Sequence, residues 1–111
     1  MAFKKACTLD DIWEGDMETF DVDGTEVLLV HVKGEGVYAV QAQCPHQEVD
    51  LVEGDLDGRV LTCMMHLWEF DVVAGKGVNP DDAEIAQYPV KIEGEDVLVD
   101  VEGIEPKHAK A

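Results

Sequence analysis

The stretch from Cys44 to His66 constrains this chain more than any other. It opens with Cys44-Pro45-His46 and closes with Cys63-Met64-Met65-His66, with residues 47 to 62 between the pairs. Each short segment offers one thiol and one imidazole. Two soft sulfur ligands and two imidazoles suit zinc or an iron–sulfur centre, and suit calcium or magnesium poorly. The order of the ligands bears on the choice. A zinc Cys2His2 site usually pairs cysteine with cysteine and histidine with histidine. Here the pairs are mixed, and only Pro45 separates Cys44 from His46. A mixed pair fits a two-iron cluster whose cysteines hold one iron and whose histidines hold the other. The fold must then bring two separate loop tips together around one centre. Buried cysteines with incidental histidines are the plain alternative for any one of these residues. They do not account for two mixed pairs, each set in turn chemistry.

At 111 residues the chain holds one domain with a modest core and is too short for two. We expect the domain over residues 1–104 and a tail over 105–111. With 8 basic and 25 acidic residues the net charge is −17. Such a surface repels nucleic acid and anionic lipid, which argues against both as partners. It either attracts a protein with a basic docking face or simply keeps a monomer soluble. Two of the three cysteines are committed as ligands, so Cys7 has no disulfide partner and is expected in the core. That usage, with neither a signal peptide nor an apolar run long enough for a membrane span, predicts a cytoplasmic protein.

Many short apolar stretches, punctuated by Gly and Asp turns, predict an all-β sandwich or barrel. A strand is expected over 3–7. Thr8 then caps one acidic helical turn whose apolar side is Ile12 and Trp13. Strands over 17–22 and 25–33 flank the hairpin turn Asp23-Gly24. A third strand, 37–43, delivers Cys44, and Pro45 stiffens the loop that follows. Glu53-Gly54 and Asp57-Gly58 read as turns. A brief strand over 59–62 leads into Cys63, and a strand over 67–71 leaves His66 with Trp68 and Phe70 on one side. Residues 74–83, with Gly75, Gly77, Asn79 and Pro80, read as a loop. Strands over 88–92 and 97–101 form a closing hairpin.

With these residues in view, the chain resembles the Rieske-type [2Fe-2S] ferredoxins over nearly its full length. Within them it is most similar to the ferredoxin component of bacterial multicomponent toluene monooxygenases. The stretches that carry the likeness are Leu-Asp-Asp-Ile-Trp-Glu-Gly (9 to 15), Cys-Pro-His-Gln-Glu (44 to 48), Thr-Cys-Met-Met-His-Leu-Trp-Glu-Phe (62 to 70), Gly-Lys-Gly-Val-Asn-Pro-Asp-Asp (75 to 82) and Tyr-Pro-Val (88 to 90). The resemblance implies a Rieske-type β-sandwich with a small cluster-binding subdomain inserted at about 44–70. It implies a [2Fe-2S] cluster held by Cys44, His46, Cys63 and His66, with the loop around Pro80 covering a third side. Gln47, Trp68 and Pro80 are the candidates for the rim that contacts partners.

Two departures separate the chain from the respiratory members of that class. Val49 and Met65 stand where those carry an extra cysteine pair, and Trp68 stands where they place a hydroxyl. Fewer hydrogen bonds to cluster sulfur leave the reduced state less stabilised, which predicts a low potential for such a centre. The implied role is not catalytic. The chain would accept single electrons from an NADH-dependent flavoprotein reductase and pass them to the di-iron hydroxylase component of an aromatic-hydrocarbon monooxygenase. A ferredoxin for a ring-hydroxylating dioxygenase, or a small nitrite-reductase-type subunit, would share the ligand motif. A structural zinc module is the alternative from a different class.

Overall fold

A computed structural model of the chain describes residues 3–43, 50–63, 68–79 and 85–104. Eleven strands among them form three antiparallel sheets. The central sheet has the order β2-β3-β4-β9, from Met17–Val22, Thr25–Val32, Gly36–Gln41 and Gln87–Tyr88. β2 and β3 are joined by the expected two-residue turn, with both Asp23 (φ 52°) and Gly24 (φ 84°) in the left-handed region. Asp23 tolerates that conformation because Asp21 Oδ1 accepts the Gly24 N–H at 2.9 Å and closes the turn.

β3 explains the layering. Val27 to Val30 are all fully buried, so this strand has no wet face. Leu28, Val30 and Val32 point with Val40 into one core, while Val27 and Leu29 point with Ala39 into another. A strand apolar on both sides must be covered on both sides. One cover is the sheet β1-β11-β10, from Lys4–Thr8, Asp96–Val99 and Val90–Glu93, which adds Cys7, Val97 and Val99 to its core. The other is the sheet β5-β6-β7-β8, from Asp55–Asp57, Val60–Thr62, Glu69–Asp71 and Lys76–Asn79, which adds Leu61 and Phe70, with Val72 from the turn after β7. The expected all-β sandwich is therefore the fold, with the central sheet shared by two cores.

Four local expectations are corrected. Trp13 is 70% exposed and only Ile12 is buried behind the turn. The Trp13 Nε1–H donates to the Asp10 carbonyl at 3.0 Å, which holds the ring along the surface. Residues 76–79 are a strand and not a loop, because β8 pairs with β7 and a partner strand overrides glycine's weak strand propensity. Gly77 faces Phe70 directly in that ladder. The stretch 88–92 is two strands in two sheets, since Pro89 cannot donate to a ladder and the chain crosses there from β9 to β10. Finally, the segment between the turns at Gly54 and Gly58 is itself a strand, β5, entered through a short 3-10 turn at Leu51–Glu53.

Candidate metal centre

Of the residues singled out from the sequence, Cys63 and Trp68 lie within the described residues. Cys44, His46, Gln47, His66 and Pro80 lie outside them. The stems that carry these residues are nevertheless defined, and they converge. Gln43 forms an antiparallel bridge with Asp50, so the chain on either side of 44–49 is paired. The Leu51 N–H donates to the Ala42 carbonyl at 2.8 Å and tightens the same stem. Residues 64–67 are bracketed likewise. Thr62 pairs with Glu69, and one step further the Cys63 N–H donates to the Trp68 carbonyl at 2.7 Å. Both candidate ligand segments are thus flanked by paired backbone.

The two stems are joined by the Leu51–Glu53 turn. Leu51 is fully buried in the core that holds Leu61, Cys63 and Phe70. The Gly54 N–H donates to the Leu51 carbonyl at 3.0 Å, and Gly54 then lies against Thr62. A Cβ added at Gly54 would overlap the Thr62 carbonyl oxygen and sit 3.1 Å from the carbonyl carbon. Only glycine permits this approach, and it sets the strand delivering Cys63 beside the stem that carries Cys44. The residues on either side of segment 80–84 meet the same stems. Its entry is Asn79, paired with Glu69 in the second stem, and its exit is Ala86, bonded to Gln41 beside the first.

Cys63 is completely buried, and Trp68 and Phe70 pack in the same core. The two rings lie 6.4 Å apart at 49°, on the shared side expected from their alternation. A thiolate in so apolar a setting needs an adjacent cation, which an iron ligand has. The sulfur donor at the end of a dry core, beside the stem that leads into Cys44, fits the chemistry of an iron–sulfur ligand. Cys7 is a contrast. It is buried in the other core, and burial, with Asp11 and Glu18 nearby, pushes its thiol up to about 11 against the slight opposing pull of Lys5. It packs as a small apolar residue, as expected.

A family model for the Rieske [2Fe-2S] domain matches residues 2–89. The chain belongs to the Rieske [2Fe-2S] family. Its cofactor is accordingly a Rieske-type [2Fe-2S] cluster. Among curated Rieske proteins, it is 46% identical over 107 residues to the ferredoxin component of the alkene monooxygenase system of Xanthobacter autotrophicus, covering 95% of this chain and 85% of that one. It is 42% identical over 102 residues to the biphenyl dioxygenase ferredoxin subunit of a Pseudomonas species, covering 90% and 93%. Among solved Rieske structures, a chain from the complex of reduced oxygenase and oxidized ferredoxin in carbazole 1,9a-dioxygenase superposes with a TM-score of 0.79 at 25% identity, covering 98% of this chain and 96% of that one.

Sequence reasoning found the four ligand candidates but missed the residues that bring their stems together. Local sequence marks Gly54 only as a turn residue and gives Gln41 no role. The available signal was a lone polar residue in the run Val37 to Ala42, since an amide in an apolar strand needs a reason to be there.

Proposed function

We propose that this protein is a Rieske ferredoxin that carries single electrons from an NADH-dependent flavoprotein reductase to the hydroxylase component of a multicomponent monooxygenase. The observation that carries the reading is the joining, through Leu51 and Gly54, of the stem that leads into Cys44 with the strand that ends at the buried Cys63. Cys44 and Cys63 would hold one iron through sulfur, and His46 and His66 would hold the other through imidazole nitrogen. When bound, the cluster takes up one electron and gives it back. The chain's residues keep water from the sulfur side with Trp68, Phe70 and Leu51. We assign residues 44–70 to the cluster-binding subdomain; the sheet that carries β6 and β7 on either side of 64–67 continues beyond it through β8.

The acceptor follows from the relatives. The alkene monooxygenase ferredoxin supports a monooxygenase as the electron sink, and our reading takes its acceptor component to be a di-iron hydroxylase acting on a hydrocarbon. The biphenyl dioxygenase subunit supports a second reading, in which the acceptor is the terminal component of a dioxygenase. Gln47, Trp68 and the segment at Pro80 form the contact rim in either case. A surface of net charge −17 favours partners with a basic docking face.

Reconstitution tests this. Purified protein should be red-brown and hold two irons and two acid-labile sulfides. With NADH and a reductase, it should support a di-iron hydroxylase and not a dioxygenase terminal component. Support of the dioxygenase alone would transfer the assignment to the second reading. A colourless zinc protein would overturn both.

A further inference from the structure

Gln41 stands where β4 and β9 part. The β4–β9 ladder runs Ala39↔Tyr88 and Val40↔Gln87 and goes no further. At the next step the Gln41 N–H still donates to the Ala86 carbonyl at 3.0 Å. Beyond it the chain diverges: one side continues through Gln43 into 44–49, and the other comes from 80–84 through Ile85. The Gln41 side chain spans this fork. Its Oε1 accepts the Ala86 N–H at 2.7 Å, and its Nε2–H donates to the Gln43 carbonyl at 2.8 Å. A backbone donor on one side and a backbone acceptor on the other leave one orientation for the amide.

The residue is 2% exposed, among the buried Val40, Ala42, Ile85 and Ala86. Burying an amide in such surroundings is unfavourable unless both its ends are used. An apolar residue would fill the same space, so the amide's contribution is its connection of Gln43 to Ala86. Gln43 is the last described residue before Cys44, and Ala86 lies two residues after the segment 80–84.

We propose that Gln41 is a positioning residue that ties Gln43, the residue before Cys44, to Ala86, just before β9, and so holds in place the backbone from which the first ligand segment starts. The inference rests on the ligand assignment above. Gln41 touches no cluster atom in this role. It acts through the Gln43 carbonyl and the Ala86 N–H.

The test compares holo-protein carrying Gln41→Met, which keeps the volume and removes both hydrogen bonds, with Gln87→Met. Gln87 makes a similar pair of bonds, from Nε2 to the carbonyls of Val72 (2.8 Å) and Val73 (2.7 Å), but at the β7–β8 turn. Gln41→Met should lose iron to a chelator about tenfold faster, the order set by one net hydrogen bond. It should also shift or broaden the low-temperature magnetic resonance signal of the dithionite-reduced protein and move its midpoint potential. Gln87→Met should lower the thermal midpoint while leaving signal and potential at wild-type values. Should Gln41→Met fail to accumulate cluster, Gln41→Glu is measured the same way. It keeps the acceptor for Ala86 and loses the donor to Gln43, so its signal should again depart from wild type. A wild-type signal, potential and chelation rate in whichever variant assembles overturns the proposal. If wild-type protein itself holds no two-iron cluster, the ligand assignment fails and this inference falls with it. A loaded wild type with unmoved variants sinks Gln41 alone.

Discussion

Single residues here are constrained by what lies a few ångströms away, and two of them make that measurable. Cys7 packs between Val97 and its own strand's neighbours as a neutral thiol, and its raised pKa has a stability consequence. A folded-state value of about 11, above the ordinary 9.0, means that the native state prefers the protonated form. The resulting stabilisation is present below pH 9.0 and is lost as pH rises through the folded value. Denaturation midpoints of wild type and Cys7→Ala should therefore converge across that alkaline window. Iodoacetamide at neutral pH should label Cys7 only after unfolding, since the thiolate is the reactive form. Rapid native labelling, read by mass spectrometry, would contradict this placement. Gly54 makes the second case. Gly54→Ala forces its methyl against backbone at Thr62 and not against a side chain that could swing away. We expect a loss of about 1–3 kcal/mol of stability, as for other overpacked sites. Because Thr62 precedes Cys63, cluster content per chain should fall as well, which iron and sulfide analysis would show.

At the scale of elements, the β5–β8 sheet depends on one carboxylate at its end remote from the ligands. Asp71 closes the turn after β7 by accepting the N–H groups of Val73 (2.9 Å) and Ala74 (3.0 Å), and it binds Arg59 Nε at 3.0 Å. Arg59 in turn reaches Glu35 in the β3–β4 turn at 3.3 Å, tying this sheet to the central one. Burial pushes the Asp71 carboxyl up. The Ala74 N–H, Arg59 and the Val73 N–H together outweigh that push and hold it below the ordinary carboxylate value. A depressed folded value contributes stability above the unfolded pKa and loses it as pH falls through the folded one. Asp71→Asn should thus be less stable than wild type at neutral pH, with the gap closing below the ordinary value of 3.8. A gap that is constant from pH 7 to pH 2 in urea titrations would rule out this account. The Lys5–Asp96 and Lys91–Glu93 pairs are both largely exposed, and deleting either should matter little.

The whole molecule has two properties that no single element shows. One is that the strand ends leading into 44–49, 64–67 and 80–84 are tied to one another by backbone pairing and by Gln41, while Trp13 and the β3–β4 turn stand apart from them. The other is a net charge of −17, whose field reaches partners only across a screening length. That length is about 10 Å at 0.1 M salt and about 3 Å at 1 M. Electron delivery to a hydroxylase or from a reductase should therefore slow several-fold as sodium chloride rises across that range, through a fall in association rate. Stopped-flow reduction at graded salt would check it. Indifference to salt would leave the acidity as a solubility device. No helix among the described residues is long and apolar enough to cross a membrane.

The sequence by itself determined the chemistry and most of the strands. Ligand types at short spacing are local, and so are Asp23-Gly24, the apolar run of β3 and the alternation of Trp68 with Phe70, so each could be read without knowing its neighbours in space. It could not show that residues 76–79 are a strand, because Gly75 and Gly77 disfavour one until β7 lies alongside. Nor could it show that the strand after Gln87 breaks at Pro89 to change sheets, or that Trp13 lies outside. The joining of the two stems through Leu51 and Gly54, and the bridge made by Gln41, belong to tertiary structure alone. Gln41 and Ala86 are 45 positions apart, and Gly54 meets backbone on a different strand; such contacts are specified by packing and hydrogen-bond satisfaction that no local pattern encodes.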